Sequence, residues 1–284
     1  MGRVRIVTDS TADIPASLAS ELEIVVVPVQ IIWGQEIYQD GVDLASLTFF
    51  DRLAHTVEVP RTSQPPVSRF VETYRQLLEA GEGATVVSIH LAGNLSGTLN
   101  AAWAAAQTLP DPSRVEVIDS GQVSMGLGWA VIEAAKLARM GAGQVEIVGA
   151  VRALLPRLRT LAMIDTLDYL YRGGRISQVT AALGTALQIK PLIDIQSGHI
   201  EIVARARTRS GALKRLVTIV RDWGPLAQVM VLHTGAAKLA EDLADQLRGL
   251  ACDGLIAVEP AGSALATHLG LGAVGVCALA AGDE

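Results

Sequence analysis

Ala84-Thr85-Val86-Val87-Ser88-Ile89-His90-Leu91, followed by Ala92-Gly93-Asn94-Leu95-Ser96-Gly97-Thr98 and an alanine-rich run to residue 108, decides the fold class of this chain. The first eight residues read as a buried strand, the middle as a glycine-containing loop and the last stretch as a helix. A strand that enters a helix through a short polar loop is the unit of a parallel sheet with helical crossovers. The same alternation recurs around it. Residues 5–8, 24–32 and 115–119 are further strand candidates, and residues 17–22, 66–80, 98–108 and 125–140 are the helices between them. The pattern predicts a Rossmann-like parallel layer over residues 1–155. In such sheets ligands sit beyond the carboxyl ends of the strands, so the loops after Thr8, Leu91 and Asp119 are expected to share one edge.

The character changes near residues 148–160, where a helical segment carrying Arg152, Arg157 and Arg159 leads into a different strand pattern. Residues 192–195 and 200–207 flank Gln196-Ser197-Gly198-His199, which reads as an antiparallel hairpin. Strands are expected at 228–233, 254–258 and 273–278, with amphipathic helices at 210–223 and 236–250. Residues 156–284 are therefore read as a second, mixed α/β domain. The longest loop-like stretch, residues 56–66, requires an explanation in a compact fold.

Composition narrows the function. The 284 residues are 50% hydrophobic with a formal charge of −6, and nothing in that balance attracts nucleic acid or an anionic membrane. The charge is uneven: residues 152–221 hold 12 Lys/Arg and 4 Asp/Glu, net +8, which leaves −14 for the rest. Such an island is a solvated face or a docking surface. Mean hydropathy is +0.37, yet the most apolar stretch, residues 24–33, is half a membrane span and contains Pro28 and Gln30. No stable membrane insertion is expected. Met1-Gly2-Arg3-Val4-Arg5 runs directly into strand residues without the apolar segment of a signal peptide, which implies a cytoplasmic protein. Cys252 and Cys277 are isolated, with neither zinc spacing nor a disulfide framework, and are read as core thiols.

Four segments place hydroxyls, glycines or a histidine at strand ends. Thr8-Asp9-Ser10-Thr11-Ala12-Asp13-Ile14-Pro15 is a polar turn whose Asp and Ser residues suit bonds to their own backbone. Arg61-Thr62-Ser63-Gln64-Pro65 puts adjacent hydroxyls and an amide in the long loop. In Gly93-Asn94-Leu95-Ser96-Gly97-Thr98, Ser96 suits capping of the following helix, whose first N–H groups also suit a carboxylate. His268 stands in Thr267-His268-Leu269-Gly270-Leu271-Gly272, where its ring is a structural group or a donor to a carboxylate. Gly270, Gly272 and Gly275 spell G-x-G-x-x-G, but the chain ends nine residues later and no strand–helix context surrounds them, so a dinucleotide site is rejected. Phosphate-loop, zinc-helix and nucleophile-elbow motifs are absent. His233 is a weaker candidate.

Together these segments, with Asp119-Ser120, Ser124-Met125-Gly126 and the run 167–177 that ends in Tyr171-Arg172-Gly173-Gly174-Arg175-Ile176-Ser177, resemble the DegV family, in family order from the first strand to the last. The resemblance implies a Rossmann-like domain, a mixed α/β domain and one acyl chain between them. It implies a non-catalytic, fatty-acid-binding component that serves a bacterial fatty acid kinase. The partner would be an ATP-dependent enzyme related to dihydroxyacetone kinases, which makes an acyl phosphate for phospholipid synthesis. By motif position Thr62, Ser96 and His268 would hold the carboxylate of a palmitate-like ligand, supported by Ser63, Gly97 and Thr98. Arg172 would dock the kinase, and no cofactor or metal is implied. Leu271 stands where the family motif has proline. Two alternatives remain: an acyl hydrolase or transferase with Ser96 as nucleophile and His268 as base, and a nucleic-acid role for the basic island.

Overall fold

The computed structural model describes residues 2–175, 189–252 and 256–282. In chain order its strands are β1 (Val4–Asp9), β2 (Val25–Val27), β3 (Gln30–Trp33), β4 (Glu36–Gln39), β5 (Arg61–Ser63), β6 (Thr85–His90), β7 (Val115–Asp119), β8 (Leu158–Met163), β9 (Lys190–Gln196), β10 (His199–Ala206), β11 (Leu226–His233), β12 (Ala257–Pro260) and β13 (Val274–Ala280). The helices are α1 (Ala16–Glu21), α2 (Ser46–Ala54), α3 (Val67–Glu79), α4 (Thr98–Gln107), α5 (Ser124–Arg139), α6 (Gln144–Leu154), α7 (Asp168–Arg172), α8 (Arg209–Asp222), α9 (Ala237–Leu247) and α10 (Ser263–Leu269).

Three sheets form. The first has the order β2-β1-β6-β7 and is parallel throughout. Its strand order reverses between β1 and β6, the switch point at which loops diverge to leave a crevice. The second, β10-β9-β8-β13-β11-β12, is antiparallel except for β11–β12. The α/β class, the parallel layer, the mixed layer and the 196–199 hairpin turn therefore match expectation.

The third sheet, β4-β3-β5, was not foreseen. Residues 24–32 form two strands in two different sheets, because Pro28 cannot donate to a ladder and the chain turns there. Loop 56–66 contains β5, which pairs with β3 and sets Thr62 opposite Ile31. Arg159 lies on β8 instead of a helix, and Arg157 closes the short 3₁₀ turn before it. Cys277 is buried, but Cys252 is exposed and is not a core thiol. Gly254, in the expected strand 254–258, and Ile176 and Ser177 of the family motif lie outside the described residues.

Helix α5 joins the two larger layers. Its first half is buried all round, which only a helix enclosed by protein tolerates. It packs on β1 and β6 of the parallel sheet and on β8 and β13 of the mixed one. Gly126 makes this approach possible, since a Cβ there would collide with Thr160 Oγ1 of β8.

Candidate functional site

A cavity opens where the loops beyond β1 and β6 face the mixed sheet and α10, with about 1020 Å³ of empty space out to solvent. Its body is aliphatic. Ala162 of β8, Ile193 and Ile195 of β9 and Leu232 of β11 supply one wall, and Leu91 and Val123 belong to the opposite side. Alternation along each strand delivers these side chains to one face. Pockets for small ligands are mostly apolar with a few placed polar groups, and this lining fits that description.

Polar groups from distant segments join this lining. Thr62, Ser63, Ser96 and His268 all line the cavity although they come from β5, the β6–α4 loop and α10. Thr62 Oγ1 lies 2.8 Å from His268 Nε2, across 206 residues of sequence. Burial, with Arg175 nearby, depresses His268 from its ordinary 6.5 to about 4, so the ring is neutral at neutral pH. A neutral imidazole carries one N–H. With that proton on Nε2, His268 donates to Thr62 and leaves the Thr62 hydroxyl proton for a ligand. The other ring nitrogen, Nδ1, is buried with no partner among the described residues. It faces Gly173, where any Cβ would strike it.

Ser96 is prepared in the same way. Its Oγ accepts from Thr98 N–H at 3.3 Å and lies 2.9 Å from Thr98 Oγ1. When Thr98 donates both bonds, the Ser96 hydroxyl proton is free to point into the cavity. Gly97, not Ser96, is the N-cap residue of α4, so the expected cap is displaced by one position. Gly97 also admits Gln64, whose Oε1 would stand 2.7 Å from a Cβ there. The loops of Thr62 and Ser96 thereby pack together.

Ser96 and His268 do not form a nucleophile–base pair. The His268 Nε2 bond goes to Thr62 and the Ser96 contacts are to Thr98. His233 also lines the cavity, and its Nδ1 accepts from Ala236 N–H at 3.3 Å. Arg172 is exposed on α7 and is not part of the cavity lining.

Arg175 is the site residue that the sequence reading passed over. It lines the cavity, donates from Nε to Leu95 O at 3.1 Å, and bonds Gly173 O through Nη1. The expected group of Thr62, Ser96 and His268 thus has a guanidinium at its margin. Leu271, in place of proline, packs beside the cluster of Trp33, Phe49 and Phe50. Gly270 and Gly272 on either side adopt φ 71° and 86°, a turn that needs glycine at both positions.

A second hydroxyl–histidine array lies in the core. Asp9 Oδ2 is 2.9 Å from His90 Nδ1, His90 Nε2 is 2.7 Å from Ser88 Oγ, and Tyr74 donates to Ser88 at 2.8 Å. All four side chains are 0% exposed, so no substrate reaches them.

The family model described as "Uncharacterised protein, DegV family" matches residues 3–281. A DegV domain-containing protein of Streptomyces coelicolor is 37% identical over 279 residues, 96% of this chain and 97% of the relative. Among solved structures, one described as "Fatty Acid Binding of a DegV family Protein from Thermus thermophilus" aligns with TM-score 0.89 at 30% identity, covering 98% of this chain and 100% of that one. The crystal structure of DegV, a fatty acid binding protein from Bacillus subtilis, aligns with TM-score 0.88 at 27% identity, covering 99% and 100%.

Proposed function

The chain belongs to the DegV family, and from that premise we propose that it binds one long-chain fatty acid in the cavity, with the carboxylate held by Thr62, Ser96 and His268. The observation that carries this reading is the cavity itself. It is aliphatic along its body and carries two hydroxyls and a neutral imidazole in its lining. Relatives of the same fold are described as fatty acid binding proteins.

The energetics support it. Burial contributes roughly 0.8 kcal/mol per methylene, about 10 kcal/mol for a palmitoyl chain before ordering costs. The carboxylate loses water on entry and needs donors in exchange. Thr62 and Ser96 each have a proton to give once their oxygens accept from His268 and Thr98. Ser63, Gly97 and Thr98 support that geometry. The acid would stay reactive, because its ligands include neutral hydroxyls and Arg175 is engaged with the backbone.

The chain would therefore act as a non-catalytic carrier. A partner ATP-dependent fatty acid kinase, related to dihydroxyacetone kinases, would phosphorylate the presented carboxylate to an acyl phosphate for phospholipid synthesis. Arg172, exposed within the basic stretch, is our candidate for its docking surface. The hydrolase reading is not favoured, since Ser96 has no base among the described residues.

Native mass spectrometry of the protein purified from a bacterial host, followed by lipid extraction, tests the binding. A stoichiometric free fatty acid is the expected result. An empty protein that also fails to take up palmitate or oleate would overturn it.

A further inference from the structure

Asp13 ends the turn after β1 in the left-handed region, at φ 52°. Its carboxyl reaches the far end of the chain: Oδ1 accepts from Gly262 N–H at 2.9 Å and Oδ2 lies 2.5 Å from Ser124 Oγ. Asp40, just beyond β4, is 3% exposed. Its carboxyl faces the Ser10 hydroxyl and the N–H groups of Ser263 and Ala264. Gly262 is the N-cap of α10, and Ser263 and Ala264 are its first two residues. Two carboxyls from the first 40 residues thus face three N–H groups that a helix leaves open at its start, and Asp13 takes up that of Gly262.

His268 is the sixth residue of the same seven-residue helix. At about 1.5 Å rise per residue the cap lies within about 10 Å of the ring. A helix this short moves as one piece, so a shift at its start displaces His268 against Thr62. Gly262 leaves no slack either, because a Cβ there would stand 2.6 Å from Asp13 Oδ1.

We propose that Asp13 and Asp40 are positioning residues for the head-group site: by holding the start of α10 they fix where His268 meets Thr62, and so how firmly a carboxylate is held. The inference rests on the fatty-acid reading above for its ligand, though not for its geometry. The pair is also titratable near neutrality. Burial is the main cause that raises Asp13 to about 7 and Asp40 to about 6, and Asp9 at the end of β1 pushes both in the same direction. Cys277 of β13 faces Asp13, its thiol pushed up by burial to about 11, and Arg175 faces His268. Neither carboxyl has an ion pair among the described residues.

Palmitate and 1-hexadecanol share a chain and differ in the head, so the ratio of their affinities, read by competition with a fluorescent fatty acid, isolates the head-group site. Asp13→Ala and Asp40→Ala are expected to lower the preference for palmitate about tenfold, the order of one hydrogen bond to a charged group. Asp13→Asn should restore it, because the amide still accepts from Gly262 and donates to Ser124. Gly262→Ala keeps both carboxyls but displaces Asp13, and should act in the same direction as the alanine variants. Equal weakening of both ligands in every variant would mark a merely structural role and overturn the proposal.

The unmodified, ligand-free protein offers a test that no folding defect can obscure. Nitrogen-15 signals of the His268 ring should shift with a midpoint between about 6 and about 7, where His268 itself does not titrate, and the shift should shrink in Asp13→Asn and vanish when Asp40→Asn is added. A flat response from about pH 5 to about pH 8, together with ring signals unchanged in Asp13→Ala, would overturn the proposal. If the wild-type protein binds neither ligand, the fatty-acid reading fails while the ring titration still decides the positioning role.

Discussion

His90 and His268 are both neutral-pH hydrogen-bonding rings next to a hydroxyl, yet one belongs to the core and the other to the cavity. Around His90 every polar atom has a partner: Asp9 on one nitrogen, Ser88 on the other, Tyr74 behind Ser88, and the face of Phe70 at 5.2 Å edge-on. Around His268 one nitrogen meets Thr62 and the other is unpartnered among the described residues. A closed network in a low-dielectric core rigidifies the fold, and opening it is expensive. A network with a hydroxyl proton to spare beside a cavity, here that of Thr62, is what a carboxylate completes. By type and spacing alone the buried array resembles a catalytic triad more closely than the cavity does. Access and unused valence separate the two.

That contrast breaks most visibly at His90. His90→Leu leaves the Asp9 carboxyl buried without its ring partner, and the expected loss is about 3–5 kcal/mol of folding stability by urea denaturation. A loss below about 1 kcal/mol would mean that the array is not closed. The second effect concerns pH. His268 has its folded-state pKa depressed from 6.5 to about 4, so the unfolded chain takes up the proton first as pH falls. Stability present above about 6.5 is lost progressively down to about 4, on the order of 3 kcal/mol at full protonation. Asp13, raised to about 7, has the opposite sign: its folded form keeps a proton that the unfolded chain releases, so its contribution falls as pH rises from the ordinary carboxyl range through 7. His268→Gln should remove the acid loss and leave the alkaline one. An unchanged slope between about pH 4 and about pH 6.5 would refute the assignment.

Head-group substitutions come next. Thr62→Val keeps the shape and removes one donor, and should weaken palmitate about 10- to 100-fold, the range for a hydrogen bond to a charged group, and cost about 1–3 kcal/mol of stability because the buried His268 Nε2 loses its partner. Ser96→Ala should weaken binding similarly and also destabilise by about 1 kcal/mol, because Ser96 Oγ satisfies Thr98 N–H at the start of α4. Wild-type affinity in both, measured by isothermal titration, would place the carboxylate elsewhere.

Much of the fold was legible because parallel strands and amphipathic helices write their periodicities locally. The loop after β6 and the hairpin at Ser197-Gly198 were read correctly for that reason. What escaped depends on pairing between distant segments. β5 is three residues long and exists only because β3 offers an edge, so its Arg61-Thr62-Ser63 run looks like loop. Thr62, Ser96 and His268 could be nominated from residue type and family motif, but not joined, since 206 residues separate Thr62 from His268. Asp13 reads as a self-capping turn residue, and its contact with Gly262 spans 249 positions. Arg175 sits three residues after Arg172 in the same motif, and nothing in the sequence says which of the two turns inward.

That last pair carries the smallest predicted effect and the sharpest separation. Arg175 lines the cavity and bonds Leu95 O and Gly173 O, so its loss disturbs the Ser96 loop. Arg172 is exposed on α7. Arg172→Ala should therefore change stability by no more than about 0.5 kcal/mol, the usual range for an exposed site, and leave palmitate affinity unaltered. If this face docks the partner kinase, acyl phosphate formation in a reconstituted mixture should drop while the lipid stays bound. Full activity with Arg172→Ala would move the docking surface away from α7, whereas weakened palmitate binding would mean that α7 belongs to the cavity wall.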